Sequence, residues 1–485
     1  RWSISVPRWI SMASMTSVFL MGCWLWLTLD FSQAGAAGLP AWALEFRLPW
    51  IPRFGVSVHL GLDGLSLLMV LLTGLLGVMA VACSWREIQQ YVGFFHLMLL
   101  WNLSGVIGVF LALDLLLFFF FWEVMLVPMY FLIALWGHRG AGGRGRIYAA
   151  TKFFLFTQAS GLIMLVAILA LVFVNHGNTG VWTFDYMDLL RAEYGSTAGY
   201  LLMLGFFIAF VVKLPAVPFH PWLPDAHSQA PTAGSVDLAG VLLKTGAYGL
   251  LRFAIPLFPE ASAHFAPAAM WLGVVGIIYG AVVAYSQTDI KRLVAYTSVS
   301  HMGFVLVGAY AGNLQALQGV VMQMLAHGVS TGALFILCGE VYERIHTREL
   351  GQMGGLWQRL PHLGAIALFF ALASLGLPGL GNFVGEILIL IGSFRVNPAA
   401  TVVAATGLVL AAAYALLIMQ RAFYGTPRDT EPLEDLTTRE FLLLMVLVVI
   451  LVWFGLYPQP VFDVTEAPMR FIGQTLQGGA AGALP

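Results

Sequence analysis

Six titratable side chains, Glu123, Lys213, Lys244, His301, His327 and Glu386, stand inside apolar stretches of this chain. Each lies close to the middle of a run long enough to cross a bilayer, where an unpaired charge carries a heavy free-energy penalty. Carboxylate, ammonium and imidazole groups set in one row at mid-membrane depth suit the passage of protons from group to group better than that of a bulky solute. With packed helices about 8 to 10 Å apart, successive members come within reach through a few waters. Plainer roles exist for the same residues: a hydrogen bond to a neighbouring helix for Glu123, counter-ions for the lysines, neutral hydrogen-bonding groups for the histidines. Asp289 reads as a helix cap beside Lys291 and Arg292. Asp237, two residues after Ser235, reads as a carboxylate in a first helical turn, where the helix dipole favours it.

Two of these residues sit beside expected helix breaks. Lys213 follows the mostly apolar stretch Leu201 to Val212 and is followed at once by Leu214 and Pro215, with Pro218, Pro221 and Pro224 beyond. Proline removes a backbone donor and clashes with the preceding turn, so the helix must break or kink just past its lysine. At bilayer depth such a break is tolerated only where the freed backbone is buried in protein or lines a wet cavity. The second break is expected in LGLPGLGNFVGEILILIGS, at Pro378 with Gly376, Gly379, Gly381 and Gly385, shortly before Glu386. Lys244 falls inside a separate run, Ala233 to Ile255.

With 60% hydrophobic and 10% charged residues and a mean hydropathy of +0.86, the chain reads as an all-α polytopic membrane protein. About thirteen runs are long enough to span, and the segments between them are too short to fold alone, so residues 1–485 form one transmembrane domain. The net charge of −1 gives no attraction for nucleic acid. Cys23, Cys83 and Cys338 lie in or beside apolar runs without CxxC or Cys/His spacing, and read as small core residues in place of a disulfide or metal site. The sequence carries no motif for nucleotide, flavin, haem or iron–sulfur binding, so any driving energy must come from a partner or an ion gradient. The chain opens on Arg1, and its true N-terminus is expected upstream.

If successive runs alternate sides, about fifteen basic residues, including those of HRGAGGRGR, fall on one side and about six on the other, which assigns the basic loops to the cytoplasm. A faint internal repeat joins Asp114 to Asp289, QASG at Gln158 to HGVSTG at His327, and Leu214-Pro215 to Leu377-Pro378. The paired elements are an odd number of runs apart, so two five-helix units, 92–256 and 268–424, would be inverted relative to each other, with a terminal helix and tail at 437–485.

The segment HPWLPDAHSQAPTAGSVDLAGVLLKTGAYGLLRF, together with QTDIKRLVAYTSVSHMGFV, LFILCGEVYERIHTREL and GLPGLGNFVGE, closely resembles the antiporter-like subunits of respiratory complex I, the proton-translocating NADH-quinone oxidoreductase. The likeness runs from Val6 to YPQP, and within that family it is similar to the M type, since Glu386 stands where the L and N types carry lysine. Pro221 departs from the small or polar residue usual after His220. The resemblance implies fourteen spanning helices, one of them before Arg1, and a bacterial inner-membrane location. It implies that Glu123, Lys213, Lys244 and Glu386 are the family's proton-transfer residues. It also implies neighbouring antiporter-like subunits as partners, with NADH, FMN, iron–sulfur clusters and quinone held by other subunits.

On this reading Glu123 and Lys213 form a switched ion pair. At about 4 Å and an effective dielectric near 20, such a pair is worth about 4 kcal/mol. That exceeds the roughly 2.3 kcal/mol needed to carry one charge across 100 mV. A subunit of a multisubunit cation/proton antiporter would use the same row without quinone chemistry. The charge count makes its own prediction: a cysteine at Gly142 reacts with an impermeant thiol reagent only from the cytoplasmic side, and labelling from outside intact cells would overturn the span count.

Overall fold

The computed structural model describes residues 5–32, 39–138, 145–427 and 432–482. Within them, twelve helices from Ser5–Thr28 to Thr438–Leu456 are long and apolar enough to cross a membrane. Two shorter apolar helices, Pro361–Ser374 and Gly381–Phe394, flank a break and make up the thirteenth run read from the sequence. Hydrocarbon offers no partner to a backbone N–H or C=O, so apolar runs fold as helices. Side chains fix where they begin: Asp63, Asp114, Asp289 and Asn313 each accept a backbone N–H in the first turn of the helix that follows. Arg139 to Arg144 of the basic loop HRGAGGRGR, and also Arg1 and Arg428, lie outside the described residues.

Both breaks fall where the prolines and glycines require. Past Lys213 the helix Ser196–Lys213 stops, residues 214–221 turn, and the half-helix Trp222–Gln229 begins. The Ala216 N–H bonds back to Val211, and the Val212 carbonyl it leaves free takes the Trp222 indole N–H at 2.9 Å. Pro221 has helical dihedrals (φ −64°, ψ −13°) just before the half-helix, where a missing N–H leaves no bond unmade. The end of the half-helix is held by cations from further along the chain. Arg348 donates to the Ser228 carbonyl and Lys291 to the Ala230 carbonyl at 2.9 Å, an arrangement that a helix C-terminus favours. Asp225 receives Lys152 at 2.7 Å and Arg292 at 2.6 Å. In the second break Gly376 (φ +79°) and Gly379 (φ +94°) take left-handed conformations that side chains disfavour.

One constellation occurs twice. Asp114 caps the helix after it and its backbone bridges to Asp185; Asp289 does the same and bridges to Glu349. Each capped helix is thereby tied to the loop that leads into a broken helix.

Two elements lie outside what the sequence reading assigned. Residues 44–62 form a two-stranded antiparallel hairpin, β1 (Leu44–Ile51) and β2 (Val56–Leu62), in register from Leu44 opposite Leu62. It docks on the Asp114 cap through the Ser57 N–H, 2.9 Å from Asp114 Oδ2. The C-terminal tail forms an amphipathic helix, Gln459–Gly482, that buries Val461, Met469, Ile472 and Leu476 against the bundle. Arg252 is 1% exposed inside the helix Thr232–Leu257 and pairs with Asp63, so this basic residue is no part of a loop.

His59 clasps the hairpin to the rest of the chain. Its Nδ1 is 2.7 Å from Asp185 Oδ2 and its Nε2 is 2.8 Å from Glu45 Oε1, while Arg47 reaches Asp185 at 3.1 Å. An ionised carboxylate only accepts, so both contacts are satisfied together only by the protonated ring. Burial opposes that charge, but Asp185 and Glu45 outweigh it and raise His59 above its ordinary value. Burial likewise pushes Asp185 up, and His59 and Arg47 overcome it and hold the carboxyl below its usual range. A raised histidine contributes stability in full below its unfolded value of 6.5, and that contribution is lost as pH rises through the folded value. The depressed Asp185 keeps its own contribution until strongly acid pH. Thermal stability of the wild-type protein should therefore fall as pH rises above about 6.5, and His59→Gln should flatten the profile while lowering the acid end. Parallel wild-type and variant profiles would contradict the clasp.

Candidate functional site

Four of the six residues read from the sequence come together in one file. Lys244, on Thr232–Leu257, donates to the Ala239 carbonyl and reaches His327 Nδ1 at 2.7 Å. The carbonyl is available because the helix widens to a π-helical turn over Leu238–Leu242, a local form often found at functional sites. His327, on Leu314–Ile345, lies edge-to-face with His301, ring centroids 5.5 Å apart. His301, on Ile290–Ala311, places Nδ1 3.0 Å from Glu386 Oε1, on the half-helix Gly381–Phe394. All four side chains are buried.

Three further groups complete the file. Gln323 Nε2 is 3.2 Å from Glu386 Oε1 and 3.3 Å from His301 Nδ1. Ser374 Oγ and the Tyr414 hydroxyl stand 3.3 and 3.2 Å from His301 Nε2. Gln323 is one helical turn before His327 and was legible by that spacing; nothing in the sequence marks Ser374 or Tyr414. Because hydroxyls serve as donor or acceptor, the His301–Glu386 contact is satisfied with the proton on either partner. Glu386 Oε2 faces Gly376, where a Cβ would strike it.

The expected Glu123–Lys213 ion pair is not made in this structure. Lys213 Nζ lies instead over the Trp122 indole, 4.6 Å from the ring centroid, and hydrogen-bonds to no protein atom. Trp122 and Glu123 are successive residues on a helix and so point about 100° apart, and Lys213 meets the ring and not the carboxylate. The helix is also interrupted at Met125, two residues after Glu123. Pro128 accounts for this, since its ring clashes with the carbonyl four residues back, at Val124. Glu123 is partly buried, beside Gln158 and against Gly161. The QASG stretch, singled out as a repeat signal, thus supplies its surroundings. The Lys213 helix packs closely on the Lys244 helix, Gly246 having no room for a Cβ against the Phe210 carbonyl and Leu214 amide.

Asp289 is the cap expected, accepting the Lys291 and Arg292 N–H groups. Asp237 is not in a first turn: it lies beyond that of the helix beginning at Thr232, is fully buried, and accepts the Asn102 amide. Among the described residues no group of three or more His, Cys, Asp or Glu could hold a metal ion, and the three cysteines are free.

Residues 112–411 match the family model described as NADH:quinone oxidoreductase/Mrp antiporter, TM. The chain is 64% identical over 481 residues to NADH-quinone oxidoreductase subunit M of Pseudomonas aeruginosa, covering 99% of this chain and 94% of that one. It is 61% identical over 477 residues to subunit M of Escherichia coli K12, covering 98% and 94%. Among solved structures, a chain of respiratory complex I from Thermus thermophilus with bound NADH matches with a TM-score of 0.85 at 34% identity over 96% of each chain. A chain of the Mrp complex from Dietzia sp. DQ12-45-1b gives a TM-score of 0.85 at 20% identity over 98% and 95%, a likeness of fold.

Gly161 offers a direct test of the Glu123 surroundings. A Cβ there meets the Glu123 carboxylate tip, with the next atoms 3.5 Å away. Gly161→Ala should leave thermal stability unchanged to within about 1 kcal/mol while displacing the carboxylate. Its infrared carboxyl band, assigned by difference from Glu123→Gln, should shift; an unshifted band would show that Gly161 does not shape this pocket.

Proposed function

The chain belongs to the NADH:quinone oxidoreductase/Mrp antiporter family, and from that premise we propose that it is a proton-translocating, M-type antiporter-like subunit in the membrane arm of an NADH-quinone oxidoreductase. The observation that carries the reading is the buried file from Lys244 through His327 and His301 to Glu386. The ammonium of Lys244 is placed to give its proton to His327 Nδ1, and the ring then has a second nitrogen from which to pass a proton on. Glu386 receives it through His301, whose other nitrogen is kept supplied by the Ser374 and Tyr414 hydroxyls. Glu123 and Lys213 load the file: with the pair closed Lys213 stays protonated, and with the pair open its proton is driven towards Lys244.

The two units of the relay follow the repeats 92–256 and 268–424. The protein lies in the bacterial inner membrane with its basic loops in the cytoplasm, where protons are taken up, and releases them on the opposite side near Glu386. Neighbouring antiporter-like subunits flank it, and NADH, FMN, iron–sulfur clusters and quinone are bound by partner subunits whose redox chemistry drives the switch. A cation/proton antiporter subunit would share the fold, but identities of 64% and 61% to subunit M relatives over nearly the whole chain favour the oxidoreductase.

Glu123→Gln keeps shape and hydrogen-bonding capacity but removes the charge on which the switch depends. The variant complex should assemble, lose most proton translocation and slow in quinone reduction. Assembly, NADH-driven quinone reduction and proton uptake measured on one preparation check this, and wild-type pumping by the assembled variant would sink the mechanism.

A further inference from the structure

Trp122 holds a position that the relay just described does not use. Its ring face lies 4.6 Å from Lys213 Nζ, within the range over which an aromatic quadrupole attracts an ammonium. The ring is fully buried and fixed by Phe118 and Phe210, with centroid separations of 5.7 and 5.5 Å. Phe210 lies one turn before Lys213 on the same helix, so the side chain that braces the indole and the ammonium that rests on it belong to one rigid turn. Glu123 follows Trp122 directly in sequence.

We propose that Trp122 is a positioning residue whose indole face is the second seat of the Lys213 ammonium, occupied whenever Lys213 is away from Glu123. The inference rests on the reading of Glu123 and Lys213 as a switched pair. An open pair needs somewhere to keep a charged lysine out of water. A carboxylate would recapture it, and an aliphatic wall would force it to lose its proton at once. A π face attracts the cation, carries no net charge and accepts no proton, so it holds Lys213 loaded but unpaired until the proton is passed to Lys244. The switch is then a short swing between two adjacent residues of one helix, from ring to carboxylate.

Tryptophans fluorinated on the ring weaken the face potential stepwise at nearly constant size. With such residues at position 122, NADH-driven proton uptake by the reconstituted complex should fall with each added fluorine. Trp122→Phe should keep an intermediate rate, and Trp122→Leu should lose about tenfold, as expected for a desolvated cation–π contact. A merely structural ring predicts that Phe and Leu act alike and that the fluorine series is flat, and a flat series overturns the proposal even where Trp122→Leu fails to assemble. Glu123→Gln on the same preparation separates the two readings. If it pumps normally, the switched pair fails and the proposal with it; if it is inactive while the fluorine series is flat, only the role of Trp122 fails.

Discussion

A charge or a broken backbone withdrawn from water must meet a partner inside the protein, and the arrangement of this chain follows from that demand. Where the helix stops after Lys213, the unclaimed Val212 carbonyl is taken by an indole. Where Arg252 is enclosed, Asp63 and Tyr248 surround its guanidinium. The hairpin, the aspartate caps and the tail helix all close polar ends of elements whose apolar middles would form without help.

Some buried groups are left incompletely satisfied, and members of the proposed relay are among them. Glu123 Oε1, Lys213 Nζ, His327 Nε2 and Glu386 Oε2 are buried atoms without a hydrogen-bonding partner among the described residues. Arg252 has no such atom. A saturated pair is held by every bond it makes and exchanges slowly; a half-satisfied group can accept or release a proton with little rearrangement. The Asp63–Arg252 pair and the proposed relay thus differ in how fully their buried polar atoms are bonded.

Much of this was legible in the sequence. Thirteen apolar runs, both breaks and the Asp114 and Asp289 caps follow from length, proline and capping chemistry, which act within a few residues of chain. The Lys244 to Glu386 file was anticipated as a set of residues at similar depth, because membrane burial makes each of them conspicuous. What escaped depends on rotation about helix axes and on side chains that are unremarkable alone. Lys213 was matched to the nearest opposite charge when the neighbouring ring is what it faces. Ser374 and Tyr414 could be anywhere on their helices. The strands at Leu44–Ile51 and Val56–Leu62 do alternate, in LEFRL and VSVHL, but that period-two signal was passed over between runs read only for their power to span a bilayer. Asp237 was misjudged because its helix already begins at Thr232, directly after Pro231, so that the first turn is complete before Asp237.

Asp225 has a consequence for how motion travels. This carboxylate sits on the half-helix Trp222–Gln229 and is gripped by Lys152 from Arg146–Thr179 and by Arg292 from Ile290–Ala311. Arg348 and Lys291 hold the backbone at the end of the same half-helix. The short segment is thus a strut pinned at one end to four cations, three of which come from the later half of the chain, and joined at the other end to the turn just past Lys213. A tilt in the later helices would pull on the strut, and the strut would deliver the load to the turn where Lys213 ends its helix. In that geometry the break in the helix is placed as the joint of a lever, with the distance between the two halves of the molecule as its input and a single ammonium group at its output.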